Sequence, residues 1–470
     1  MPLTKSPKSN NSSPSGMNTS KNLVRKSSIT TTTAALYAAS KSTTKGPNYS
    51  NSKSSVNPPP PPPSTPTSPT KLKANFTSCS LHTFTGEPED AWLNASPYKA
   101  NDQRVLIIYT GGTMGMAKSV DGSLKPEPGY LTERIRNMAE FQSKKMPHCR
   151  INEYDVLIDS AEMGYDDMAR IARDIEKEYF NYDGFVVIMG TDTMAYAATA
   201  LSFMLENLAK TVVFTGSQIP FAEVFNDARR NLIASILFAG NMEFSEVCLC
   251  FNNTLLRGNR SVKVNSFGLA AFESPNFPPL ATLGVNTMFR KDIALPPPRA
   301  PFRAAMELAR EIFVVALTPS FHYETLECVV KHSVGLKGIV IQFFGTGNGP
   351  SAPSCGLVRA LSSASSRGII IVAVSQCLKG SVFLNMYETS RQFERLGVVS
   401  GGDMTKEAAS VKLSYLLGKE EYEKKLEEGE EDENENNDIE RRRERVRRGM
   451  MEDLRGELSD AVLYKTGFTV

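Results

Sequence analysis

From residue 104 onward the chain alternates short apolar runs with longer stretches whose apolar positions fall three or four apart. The runs "RVLIIYT", "YDVLIDS", "GFVVIMG", "TVVFTGS" and "VCLCFNN" are rich in Val, Ile and Phe, which predicts strands. Between them Met168, Ile171, Ala172, Ile175 and Tyr179 repeat at helical spacing, as do Ala198, Leu201, Leu205 and Leu208. Strands in alternation with helices predict an α/β fold of mainly parallel sheets flanked by helices, because a strand covered on both faces reads as a continuous apolar run. A second and shorter set, "IFVVALTPS", "LKGIVIQFFG" and "RGIIIVAVSQC", follows the proline-rich "LPPPRAPFR" and ends in a predicted helix near 404–417. The pattern thus divides the chain into a larger N-terminal domain over 101–289, a linker over 290–310 and a smaller C-terminal domain over 311–418.

Composition changes this picture mainly at the ends. Residues 1–100 are rich in Ser, Thr, Asn, Lys and Pro, and from Met1 to Gly86 there are ten Lys or Arg and no Asp or Glu. Such a segment buries too little apolar surface to offset its ordering entropy, so a disordered tail is expected. Its proline run, Pro58 to Pro63, reads as a spacer or as a ligand for an SH3 or WW domain. The stretch 419–450 passes from acidic "EEGEEDENENN" to basic "ERRRERVRR", and blocks of this kind are expected to be solvated or disordered. A net charge of +2 gives no reason to expect nucleic acid as a partner. No apolar run reaches the roughly 18 residues of a membrane span. Seven cysteines without a CxxC pair indicate neither a disulfide framework nor a zinc site, and point to a reducing, cytoplasmic location. Cys248 and Cys250, two apart on a strand, read as core packing. The acid-poor, hydroxyl-rich tail leaves an organelle transit peptide open as the alternative.

The chemistry gathers at strand ends, where ligands bind in open parallel sheets. Three of the predicted strands run into polar loops: "YTGGT", "DSAEM" and "MGTDTM". "GGTMG" is not a dinucleotide fingerprint, and no phosphate-binding GxxxxGK[ST] occurs. His82, His148, His322 and His332 all lie outside these loops, which argues against a Ser-His-Asp triad or a metal hydrolase. What remains is Thr113, a hydroxyl framed by glycines whose backbone N–H groups can hold a developing oxyanion. Each element also has a plain structural reading. Thr113 suits a tight turn, Ser160 suits a turn after a strand, and Thr191, Asp192 or Thr193 can cap the following helix.

Taken together, "YTGGTMGM", "DSAEM", "GFVVIMGTDTMAYAATALSFMLENLAKTVVFTGSQIP", "NNTLLRGNRSVK", "AFESPNFPPL", "GTGNGP", "SQC", "GGDMTKEAASVKLSYLL" and "LRGELSD" resemble the L-asparaginases of bacterial type, in particular the cytosolic type I branch. The resemblance covers about 103–418 and resumes at about 452–459, which makes 419–450 an insertion before a terminal segment, 451–470. It implies hydrolysis of asparagine to aspartate and ammonia. Thr113 matches the nucleophile, which forms a β-aspartyl ester. Thr191, Asp192 and Lys263 match a second catalytic group, in which a lysine and a carboxylate polarise a threonine hydroxyl. A desolvated lysine can lose its proton and act as a base, which supplies this chemistry without histidine. Asp159, Ser160 and Ala161, with Thr191 and Asp192, match the substrate-holding positions: Ser160 on the α-carboxylate and Asp192 on the α-ammonium. The resemblance implies a homodimer or homotetramer, and no cofactor or metal.

The chain departs from the family pattern in two places. Ser123 or Leu124 stands where a loop tyrosine is expected after the nucleophile; Tyr130 lies farther on, and Tyr387 in "FLNMYETS" is the candidate replacement. Of a regulatory asparagine site built from Thr, Arg and Cys, only Cys377 is kept, with Val262 and Gln342 in place of its partners. The competing readings are a glutaminase, an amidotransferase subunit, a lysophospholipase, or a non-catalytic asparagine-binding protein.

Overall fold

The computed structural model describes residues 102–119, 122–242, 244–427 and 435–459, and the tail expected at 1–100 lies outside them. The first sheet grows from β1 (Arg104–Tyr109), in which every residue after Arg104 is buried. A small hairpin of β2 (Met116–Lys118) and β3 (Leu124–Pro126) and a short helix α1 (Tyr130–Arg136) lead to β4 (His148–Glu153). Then come α2 (Tyr165–Glu178), β5 (Gly184–Ile188), α3 (Met194–Met204), β6 (Leu205–Glu206), β7 (Thr211–Thr215), α4 (Ala228–Asn241) and β8 (Val247–Phe251). From β8 the chain turns back as β9 (Thr254–Arg257) and continues through β10 (Val262–Lys263), β11 (Phe272–Glu273), β12 (Ala281–Thr282), β13 (Met288–Phe289) and β14 (Arg303–Ala304).

The eight-stranded sheet has the order β13-β12-β9-β8-β7-β5-β1-β4, parallel from β8 to β4 and antiparallel beyond. Successive side chains of a strand point to opposite faces, and here both faces are covered. Leu106, Ile108, Phe185, Val187, Val212 and Phe214 pack under α2 and α3. Val105, Ile107, Val186, Ile188 and Val213 pack on the other face, with Leu232 and Ile236 of α4. Cys248 and Cys250 share that second face and are fully buried. Burial raises both thiols, that of Cys250 to about 12.

Two elements of this domain differ from their sequence reading. The second strand is not "YDVLIDS" but His148–Glu153, one segment earlier. As the edge of the sheet it buries only Cys149 fully rather than forming a continuous apolar run. Helix α3 ends at Met204, because Leu205 enters β6 and Asn207 adopts φ 55°. Within the linker region, Arg303–Ala304 pairs with Leu205–Glu206, and Phe302 stacks on Tyr179 at 3.7 Å.

The second sheet consists of β15 (Ile312–Ala316), β16 (Gly338–Phe343), β17 (Ile370–Ser375) and β18 (Val398–Ser400), parallel and in sequence order. Helices α5 (Tyr323–His332) and α6 (Gly356–Ser366) cover one face through Leu326, Val330, Leu357 and Leu361. After α7 (Glu388–Arg395), the long α8 (Lys406–Glu427) and α9 (Glu435–Met451) cover the other, with Ala408, Leu413, Val446 and Met450 against Val340, Ile370 and Val372. The helix read near 404–417 therefore continues ten residues further, and the basic block is helical. Helix α8 also faces the first domain: Tyr415 stacks on Phe203 of α3 at 5.5 Å and donates its phenol hydrogen to Glu206. Among the described residues no helix is long and apolar enough to cross a membrane.

Candidate active site

Thr113 opens a single 3-10 turn, Thr113–Gly115, directly after β1, and is half-buried. The preceding Gly112 has φ 88°, a conformation that side chains avoid. A Cβ there would also collide with the backbone nitrogen of Gly190, at the end of β5. A Cβ on Gly190 would in turn overlap the Ser160 hydroxyl. The glycines of "TGGT" and "MGT" thus let the first and third loops touch, and let the second lie against the third. Backbone bonds fix the same approach, from Thr110 N to Ile188 O at 3.0 Å and from Ile158 N to Thr110 O at 2.7 Å. Beneath the turn, the buried Tyr109 hydroxyl fills the space where Gly115 lacks a side chain, and it has no hydrogen-bond partner. Burial, together with the nearby Glu153 carboxylate, pushes its phenol up.

The "GTDT" loop does not close α3 with a side-chain cap, although Thr193 stands at the N-cap position. Its polar groups turn toward the other loop instead. Thr193 Oγ1 donates to Ser160 O at 2.7 Å, and Asp192 N donates to Ser160 Oγ at 3.3 Å. Ser160 and Thr191 are 3% and 7% exposed, whereas the Asp192 side chain is 65% exposed. Asp159 and Ala161 are exposed on either side of Ser160, and the Ala161 amide donates to Asp159 Oδ1 at 2.9 Å.

Lys263 arrives on the short ribbon of β10 and β11, far from these loops in sequence. Its Nζ donates to Thr191 Oγ1 at 2.8 Å and to Asp192 Oδ1 at 2.6 Å. The Thr191 hydroxyl thus accepts from the ammonium and keeps its own hydrogen to donate, which it does to Gln218 Oε1 at 3.4 Å. Gln218 is the residue that sequence reasoning passed over. It follows β7 in "VVFTGSQ", at the same sheet edge, and its amide is oriented by Nε2 donating to Gly268 O at 3.2 Å. A strand running into small polar residues was the available signal. Tyr387 stands half-exposed at the N-cap of α7, and among the described residues it makes no hydrogen bond to Thr113.

A family model described as Asparaginase, N-terminal, matches residues 104–294, and one described as Glutaminase/Asparaginase C-terminal domain matches 311–428. Fold and family models together place the chain in a class of two-domain α/β amidohydrolases. The chain is 39% identical to L-asparaginase 1 of Escherichia coli K12 over 357 residues, which is 76% of this chain and 98% of that one. It is 40% identical to an L-asparaginase of Dirofilaria immitis over 346 residues, 68% of this chain, and spans 58% of that protein's length. The solved L-asparaginase I of Vibrio cholerae superposes with a TM-score of 0.66 at 38% identity, covering 76% of this chain and 99% of its own. The chain belongs to the asparaginase family, with its likeness to the type I members.

Proposed function

We propose that the protein hydrolyses L-asparagine to L-aspartate and ammonia through an ester on Thr113. The Thr113 oxygen attacks the side-chain amide carbon, the carbon–nitrogen bond breaks, and the hydroxyl proton leaves with the nitrogen as ammonia. Water then attacks the β-aspartyl ester, releasing aspartate and returning a proton to Thr113. The backbone N–H groups of the glycine-framed turn stabilise the oxyanion of each addition. Thr191, polarised by Lys263 and Asp192, relays protons. Ser160 holds the α-carboxylate, flanked by Asp159 and Ala161, while Asp192 offers the α-ammonium the carboxylate oxygen that Lys263 leaves free.

The observation that carries this reading is the hydrogen-bonded group of Lys263, Thr191 and Asp192, bonded in turn to Ser160, in loops that pack against the turn carrying Thr113. Thr113→Ala is expected to abolish ammonia release from asparagine, at least about a thousandfold by the usual cost of losing a nucleophile, with an unchanged circular-dichroism spectrum. Retained turnover in the folded variant would refute the assignment of the nucleophile. The same assay with glutamine measures the amide preference. The working form on this reading is a cytoplasmic homodimer or homotetramer. Light scattering of the full chain tests the assembly, and a monomeric mass at assay concentrations would overturn that part.

A further inference from the structure

Lys263 is the last of three cations spaced three apart, Arg257, Arg260 and Lys263. The first two do not reach the site. They grip the segment 455–459. Arg260, with only 2% of its side chain exposed, donates through Nη1 to Asp403 Oδ1 at 3.1 Å and to the carbonyl of Glu457. Through Nη2 it donates to Asp403 Oδ2 at 2.6 Å, Ser459 Oγ at 2.9 Å and Asn276 O at 3.2 Å. Ser459 closes the loop, its amide and hydroxyl donating to Asp403 at 3.1 and 2.6 Å. Alongside, Asn259 donates to Arg455 O at 2.8 Å and Arg257 to Gly456 O at 3.1 Å.

These contacts converge on the 3-10 turn Gly258–Arg260, which ends three residues before Lys263. The ribbon that carries Lys263 pairs it with Phe272, and Asn276, just beyond that ribbon, is tied to the C-terminal domain through Gly380 O at 3.2 Å and Asp403 O at 3.0 Å. The segment is also bonded internally and to α8. The Glu457 carboxylate accepts the amides of Leu454 and Arg455 at 3.0 and 2.6 Å and pairs with Lys412 at 2.6 Å, both side chains being fully buried. A segment that follows the whole α8–α9 excursion thus returns to brace the base of the Lys263 ribbon.

We propose that Arg260, Asp403 and Ser459 are positioning residues for Lys263, and that the terminal segment Leu454–Ser459 completes the active site by holding the turn from which Lys263 extends. The catalytic half of this proposal rests on the function argued above; the holding of the turn does not. Misplacing a catalytic group by about an ångström costs on the order of a hundredfold in rate. Buried Arg260 loses its counterion in Asp403→Asn, which invites unfolding, so Ser459→Ala is the milder probe.

In the full chain, Ser459→Ala is expected to speed amide hydrogen exchange over residues 258–264 while leaving that of β1 and β5 unchanged. It is expected to lower kcat for asparagine about tenfold, with KM changed less than threefold. Ser459→Thr, which keeps the hydroxyl, is expected to restore both. Unchanged exchange over 258–264, or exchange raised equally throughout the first sheet, would overturn the proposal. Local exchange without any change in kcat would overturn the catalytic half. If the wild-type chain released no ammonia from asparagine, the reading of the reaction would fail, while the exchange measurement would still decide whether the segment holds the turn.

Discussion

Thr191 and Glu407 are both buried polar residues near the N-terminus of a helix, and their surroundings give them opposite characters. Thr191 is satisfied on both sides, by Lys263 as donor and Gln218 as acceptor, so its hydroxyl hydrogen has one defined direction. Glu407, on the first turn of α8, is 5% exposed, and its Oε2 has no hydrogen-bond partner. Burial raises its carboxyl above the ordinary 4.5. A raised acid binds more protons in the folded than in the unfolded chain, so its effect on stability falls as pH rises from about 4.5 through the folded value. The charged form is a cost that persists at every higher pH. Glu407→Gln is therefore expected to melt higher than the wild type at pH 8, the gap closing as pH falls toward 4.5. Thermal melts across that range check it, and a variant less stable at pH 8 would mean that the carboxylate is compensated.

At the scale of elements, legibility followed how much of an element was buried. β1, β5, β7 and β8 are covered on both faces and read directly as apolar runs. β4 has a neighbour on one side only, and "HCRINE" carries no such run, so the more apolar residues after it drew the strand assignment. Helix α9 was illegible for a related reason. Among the described side chains of Glu435–Met451, those that reach the second sheet's core are Val446 and Met450, one turn apart, with Met451 at its margin, amid arginines and glutamates. Charge pairing supports its outer side, with Arg445 bonded through two nitrogens to Glu420 of α8 at 2.9 and 2.7 Å. Ion pairs with one arm in solvent are worth less than buried apolar contact, so the docking should depend most on the apolar anchors. Met450 is fully buried, and Met450→Ala is expected to destabilise the protein by about 2–5 kcal/mol. A shift in the urea midpoint reads this directly; a loss within about 0.5 kcal/mol, as for surface sites, would mean that α9 is an appendage rather than part of the core.

Across the whole molecule, the two sheets meet through side chains that their own domains leave unfinished. Tyr415 of α8 supplies the hydrogen for Glu206 at the end of α3, and Asp403 supplies the counterion for Arg260. For Glu206, burial opposes ionisation, but the bonds from Tyr415 and Lys419 outweigh it and hold the carboxyl below its usual range. The first domain bears the loops of Thr113, Ser160 and Thr191, and the second bonds through Asp403 to Arg260 and Asn276, on either side of the ribbon that carries Lys263.

The sequence by itself determined the alternation of strand and helix, the two-domain division and the polar strand ends, because period and turn chemistry are local properties. It also carried the motifs "TGGT" and "GTDT", whose glycines answer to close backbone approach. Only the tertiary structure decided which polar residues meet. Arg257, Arg260 and Lys263 are equivalent in spacing and charge, yet two are buried against the segment 456–459 and one reaches Thr191. Gln218 and Ser459 likewise gained their roles from partners 27 and 199 residues away. Such pairings depend on distances set by packing between remote segments, and no local pattern encodes them.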